Sequence, residues 1–206
     1  MAHRIAATVF VTLTAASCMH RIIQPGVPGT ASRIIRRSEA VDLSRVQFTA
    51  ADVKFMQGMI HHHAQALDMT ALIESRTNLQ SMKLLGQRIE ISQSDEIKMM
   101  QRWLEVRGQE APGIHDHHAA GATLMPGMLT TEEMDRLAAA KGKDFDRLWL
   151  EGMIKHHDGA LTMVDELFST PGAGQDSEIF TFASDVLADQ KAEINRMGAM
   201  LEELYK

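Results

Sequence analysis

Two copies of one short motif bring imidazole and thioether side chains together in this chain. Residues 58–69 read G-M-I-H-H-H-A-Q-A-L-D-M, and residues 152–163 read G-M-I-K-H-H-D-G-A-L-T-M. The common pattern is G-M-I-x-H-H-x-x-A-L-x-M. Histidine and methionine are ligands for soft and borderline metal ions, above all copper. The recurrence also predicts that the fold is a duplicated unit.

Helical periodicity separates the three consecutive histidines of the first copy. At about 100° per residue, His62 and His63 bracket the apolar face of a helix, whereas His61 falls on the opposite side. Lys155, which favours water, replaces His61 in the second copy, where both other histidines are retained. We therefore expect the first motif to bind metal through its inward pair, His62 and His63, and not through His61.

Two interpretations of the inward histidines are open. Each pair lies one helical turn from a methionine, Met59 or Met153, as metal ligands would. Alternatively, buried imidazoles are held by hydrogen bonds to polar groups of the core, because an unpaired polar group is costly to bury. The candidate partners, which would support metal ligands equally well, are Gln93, Glu96, Gln190 and Glu193.

A second repeat defines the architecture. Q-x-x-E-I-x-x-M begins at Gln93 and again at Gln190, downstream of each histidine motif. The duplicated unit is thus a helical hairpin, and two hairpins predict an all-α, antiparallel four-helix bundle over residues 48–206. Hairpin 1 spans about 49–107, a loop and short helix fill 108–142, and hairpin 2 spans about 143–204.

Local sequence signals predict where the helices begin and end. Thr49 with Asp52, and Thr130 with Glu133, have the spacing of N-terminal capping boxes. Gly108 is suited to stop the second helix. The first helix is expected to run without a break from near Thr49 to about Arg76.

The N-terminal residues resemble an export signal. Residues 5–16 are apolar and small, about as long as the core of a signal peptide. Cys18 is the only cysteine, so no intrachain disulfide forms, and its position resembles the bacterial lipoprotein box. We predict a signal peptide over residues 1–18 and a flexible linker over 19–47. The expected location is the periplasm or the cell envelope, with lipidation at Cys18 and plain secretion as the alternatives.

A third histidine cluster lies in the predicted loop. Short histidine-rich tracts suggest metal capture, although a merely polar loop is the alternative. The spacing matches no zinc-finger pattern. The candidate loop ligands are His115, His117, His118, Met125 and Met128.

Composition and missing motifs exclude other classes. A net charge of -6 argues against nucleic-acid binding. Di-iron bundles require Glu-x-x-His, which does not occur, since Met99 follows Glu96 and Arg196 follows Glu193 at that spacing. No nucleophile–base set or cofactor motif is present, so we expect no enzyme, and a redox catalyst that uses the bound metal is the least favoured alternative. The 15 methionines also serve as flexible core fillers.

Taken in order, these motifs resemble the bacterial domain-of-unknown-function family 305. The resemblance covers about residues 48–204, including the M-P-G-M turn at 125–128. It implies a ferritin-like four-helix fold, export, and binding of copper, with silver as an alternative. The protein would then sequester or transfer copper, unless it is a structural or interaction bundle. The site residues that the resemblance implies are Met59, His62, His63, Met69, Met153, His156, His157 and Met163, with Met125 and Met128.

Overall fold

The structure is a computed structural model, and it describes residues 22–24, 31–36, 48–113 and 124–206. The chain divides into two compact units, Met1–Arg45 and Val46–Lys206. In the first unit, strands β1 (Ile22–Gln24) and β2 (Arg33–Ile35) pair antiparallel. Both strands lie within residues 19–47, for which the sequence predicted a linker, and the β-branched isoleucines in both short segments favour pairing as strands. Cys18 lies outside the described residues.

The second unit is helical, in agreement with the predicted all-α class. No helix in the described residues combines the length and the apolarity that crossing a membrane requires. The helices are α1 (Ala50–Ala71), α2 (Ile73–Arg76), α3 (Gln80–Val106), α4 (Thr131–Ala139), α5 (Gly142–Ser169) and α6 (Ser177–Leu204).

Side-chain caps fix the helix starts at the predicted positions. Thr49 and Asp52 form a reciprocal capping box at the start of α1, and Thr130 and Glu133 form one at α4. These bonds satisfy main-chain N–H groups that have no partner within the helix. At the other end of α3, Gly108 adopts a φ of 65°, the left-handed conformation that commonly terminates a helix.

The first helix ends earlier than predicted. At Leu72 the main-chain N–H turns back to the carbonyl oxygens of Met69 and Thr70, and α2 follows as a separate turn. The indole of Trp149 donates to the Met69 carbonyl oxygen at 3.0 Å. A continuous helix would offer that oxygen to the N–H of Ile73, so this contact with α5 accounts for the break.

The long helices enclose two apolar clusters. Helix α1 packs against α3, α5 packs against α6, and α1 also packs against α5. Met59 and Val164 belong to one cluster, and Met69 and Met153 belong to the other. Between the clusters, each long helix contributes two polar side chains, which we call the polar layer: His62, His63, Gln93, Glu96, His156, His157, Gln190 and Glu193.

Candidate metal-binding site

The polar layer contains all four histidines that helical periodicity placed inward. His62 and His63 on α1 and His156 and His157 on α5 have no exposed surface. His61, by contrast, is only half-buried, as its predicted position away from the apolar face requires. The two apolar clusters on either side exclude water from the imidazoles.

Two of these residues, the outer histidines His63 and His157, each pair with a glutamate. His63 Nε2 lies 2.6 Å from Glu96 Oε2, and His157 Nε2 lies 2.8 Å from Glu193 Oε2. A carboxylate can only accept, so each Nε2 carries the hydrogen. Ser92 Oγ donates to the other oxygen of Glu96 at 3.0 Å. The carboxylates therefore fix the orientation of both rings.

The other two, the inner histidines His62 and His156, are held by main-chain oxygens instead. His62 Nε2 lies 2.9 Å from the carbonyl oxygen of Pro126, and His156 Nε2 lies 2.8 Å from that of His62. The His62 and His156 rings meet across the α1–α5 interface, with centroids 3.8 Å apart and planes tilted by 38°. The two hairpins thus touch through their equivalent histidines.

Burial determines the protonation of the inner pair. Loss of solvation lowers the pKa of His62 to about 3; the nearby His63 adds to this, and the hydrogen bond to Pro126 opposes it. Burial, followed by the neighbouring His62, lowers the pKa of His156 well below its usual value. Both rings are therefore neutral at physiological pH. Since Nε2 carries the single hydrogen, Nδ1 of each ring carries a lone pair.

Those lone pairs are not used within the protein. The Nδ1 atoms of His62, His63, His156 and His157 are buried, and none has a hydrogen-bond partner among the described residues. The buried amide of Gln93 and the Oε1 atom of Gln190 likewise have none. Imidazoles that bind metals characteristically use one ring nitrogen as a ligand and donate from the other to a carboxylate or carbonyl oxygen. The polar layer has this donor arrangement.

The methionines of the repeat occupy two kinds of position. Met59 and Met153 are fully buried in the apolar clusters that flank the polar layer. Met163 and Met69 belong to the same two clusters, but their methyl groups also lie against Gly58 and Gly152 respectively, each across the α1–α5 interface. Met128 is buried and Met125 is half-buried.

Residues 125–129, which we call the crossing segment, lie across α1 and α5. Gln65 holds this segment from α1, because its amide nitrogen donates to the Leu129 carbonyl oxygen at 2.9 Å and its oxygen accepts from Leu129 N–H at 2.7 Å. On α5, the main chain of Pro126 packs directly against Gly159. The Pro126 oxygen occupies the place that a Cβ atom would take, so only glycine allows this approach.

Gln65 and Gly159 were not among the predicted site residues. They are equivalent positions of the two motif copies, so their difference was visible in the sequence. A glycine within a helix costs about 1 kcal/mol relative to alanine, and this cost could have pointed to a packing role.

The polar layer reaches the surface at Glu96. This residue lines an open cleft of about 1390 Å³ between α3 and α6. Within the described ranges, no group of three or more His, Cys, Asp or Glu side chains is placed to hold a metal ion. The predicted loop ligands His115, His117 and His118 lie outside these ranges.

Comparisons with known proteins agree with the predicted family. A structure of a DUF305 protein from Streptomyces coelicolor is 27% identical, with a TM-score of 0.65 over 75% of this chain and 93% of that one. A DUF305 fragment from Deinococcus radiodurans is 28% identical, with a TM-score of 0.63 over 76% and 98%. CopM in its Cu(I)-bound form is also 28% identical, with a TM-score of 0.59 over 78% and 100%.

No curated protein matches the chain significantly. The family model described as "Domain of unknown function (DUF305)" matches residues 52–201, which include α3, α5, the crossing segment and nearly all of α1 and α6. The chain belongs to the DUF305 family.

Proposed function

We propose that this protein is an exported copper-binding protein that sequesters Cu(I) or transfers it to another protein. The observation that carries the proposal is the set of four buried imidazoles with fixed Nε2 atoms and unpartnered Nδ1 atoms. Copper is the cargo, held by His62, His63, His156 and His157, with Met59 and Met153 as thioether ligands.

The donor chemistry supports a soft metal. Thioethers select Cu(I), and imidazole suits both Cu(I) and Cu(II), whereas carboxylates favour harder ions. Here Glu96 and Glu193 bond to imidazoles and would position the ligands rather than bind the metal directly. Related structures of CopM contain Cu(I), Cu(II) or silver, so Ag(I) is a second candidate cargo.

We further propose that the four long helices form an antiparallel bundle made of two duplicated hairpins. The close packing of α1 with α3 and of α5 with α6 supports this arrangement. The export proposal rests on the N-terminal sequence and on the related Streptomyces coelicolor protein, which is described as secreted. Lipidation at Cys18 would attach the protein to a membrane.

A structural bundle is the alternative function. The His63–Glu96 and His157–Glu193 contacts favour it, because they satisfy one nitrogen of each ring without a metal. That alternative leaves four imidazole nitrogens and two glutamine side chains of the layer incompletely bonded, which is costly in a core. We therefore favour metal binding, and we propose binding rather than catalysis.

The test is an anaerobic Cu(I) titration of metal-free protein against a competing chelator. The double variant His62→Leu/His156→Leu keeps apolar volume in the layer but removes two lone pairs. We expect at least a hundredfold weaker binding at the core site, since residues that merely hold a ligand already contribute about 10- to 100-fold.

Met56→Leu is the matched control, because Leu150 occupies the equivalent position in the second copy. It should bind copper as the wild type does. Circular dichroism checks that each variant is folded. Unchanged stoichiometry and affinity in the folded double variant would reject the core site.

A further inference from the structure

We propose a second soft-metal site, separate from the polar layer, formed by His61, Met125 and Met163. It would bind a monovalent soft cation, Cu(I) or Ag(I), in a cleft open to solvent. The site does not depend on the core histidines, and none of its three side chains belongs to the polar layer. It assigns a role to the one histidine of the first motif that points away from the apolar face.

The geometry gathers the two thioethers over Gly58. A Cβ atom placed on Gly58 would lie 3.2 Å from Met125 Sδ and 3.4 Å from the methyl carbon of Met163. His61 follows Gly58 by three residues, so it projects from the same side of α1. His61, Met125 and Met163 all line one cleft of about 730 Å³. Three soft donors thus line one cleft beside α1, with the Met163 side chain buried in the apolar cluster that contains Met59.

The second copy of the repeat supplies an internal comparison. There Met69 lies over Gly152, as Met163 lies over Gly58, but Leu129 takes the place of Met125. Lys155 takes the place of His61 and pairs with Glu133 at 2.7 Å. In the second copy, a leucine is therefore sufficient to pack over the glycine. In the first copy, a sulfur atom and an imidazole occupy the equivalent positions, where packing does not require them.

The donor atoms of His61, Met125 and Met163 suit a soft monovalent ion. Two thioethers and one imidazole are neutral, polarisable donors, and thioethers select Cu(I) over harder cations. The exposed carboxylate of Glu166 and the exposed ammonium of Lys54 both line the cleft, so the neutral donors rather than local charge would select the ion. Met125 and His61 are half-buried, so an ion reaches them without any opening of the core.

The probe is Ag(I), which needs no reductant, added to full-length, metal-free protein. Stoichiometry and affinity are measured by calorimetry, and the methionine methyl signals are followed by NMR after 13C-methyl labelling. Met125→Leu removes the sulfur and introduces the residue type of Leu129, which packs over the glycine of the second copy. His61→Lys introduces the residue type of Lys155, the equivalent position of the second copy. Met56→Leu again serves as the control.

In the wild type and in Met56→Leu, we expect Ag(I) to shift the Met125 and Met163 methyl signals. Met125→Leu should lose one bound equivalent or bind it at least tenfold more weakly, with His61→Lys giving a similar loss. Folded variants with unchanged stoichiometry and affinity would overturn the proposal. Methyl signals of Met125 and Met163 that do not shift when Ag(I) is added would also overturn it.

The core double variant His62→Leu/His156→Leu separates the two proposals. If it retains the equivalent that Met125→Leu removes, the cleft binds Ag(I) by itself. If it loses the shifts of Met125 and Met163 as well, the cleft has no independent site. If the protein binds an ion in the cleft but none at the core histidines, the proposed function is rejected and the cleft site stands.

Discussion

His156 donates its Nε2 hydrogen to the main-chain oxygen of His62, its equivalent in the other copy of the repeat, at 2.8 Å. The bond joins the two hairpins through residues that belong to the same candidate site. Any sliding of α5 along α1 would break this bond and separate the two rings. The site geometry and the packing of the hairpins are therefore coupled.

The metal-free protein should lose stability as the pH falls below about 6.5. The folded pKa of His62 is about 3, so between these values the unfolded chain binds a proton that the folded chain excludes. The loss at pH 5 should be about 2 kcal/mol from His62 alone, and His156 acts in the same direction. Urea unfolding at pH 7.5, 6 and 5 measures it. The variant His62→Leu/His156→Leu should show a shallower pH dependence, and an equally steep one would contradict the prediction.

Gly159→Ala should destabilise the protein by about 1–3 kcal/mol, because the new methyl group must displace the main chain of Pro126. Gly198→Ala is the matched control within α6. Nothing lies within 4 Å of its Cβ position, so the higher helix propensity of alanine should stabilise by up to about 1 kcal/mol. Thermal or urea unfolding compares the two. Equal effects would show that the close approach of the crossing segment is unimportant.

Glu193→Gln should weaken copper binding about 10- to 100-fold, because the carboxylate that fixes His157 is lost while its shape is kept. Glu203→Gln, an exposed change on the same helix, is the control and should have no effect. The chelator-competition titration measures both. NMR of the imidazole nitrogens should also report a changed hydrogen bond at His157 Nε2. Wild-type affinity in Glu193→Gln would remove the glutamate from the proposed site.

Removal of metal should leave the fold intact. The two apolar clusters supply a core of their own, unlike small domains that fold only when a metal binds. Circular dichroism of protein treated with a strong chelator should remain helical, with cooperative thermal unfolding. A coil spectrum after chelation would show instead that the metal is structural.

Cys18→Ser should release the protein from membranes or stall its processing. A lipid chain contributes about 0.8 kcal/mol per buried methylene group, so lipidated protein should sediment with membranes. Fractionation of cells that produce the wild type or the variant tests this expectation. A wild type found free in the periplasm and without lipid would favour plain secretion.

Sequence periodicity was sufficient to place the polar layer. The positions of His62 and His63 on the apolar face follow from 3.6 residues per turn, and those of Glu96 and Glu193 follow from the second repeat. Periodicity fixes the face of a helix but not what lies opposite it. The bond from His62 to Pro126, which is 64 residues away, depends on how the crossing segment docks. The break at Leu72 likewise depends on an indole from α5.

The crossing segment explains why the two copies of the repeat need not behave alike. One stretch of chain that lies across two equivalent helices cannot offer the same side chain to both of them. It presents Met125 to Gly58 and Leu129 to Gly152, and it gives a carbonyl acceptor to His62 but not to His156. A duplicated gene with perfectly identical halves would still encode two different chemical environments. Each half can therefore diverge in its metal chemistry while the pairing of the helices is preserved.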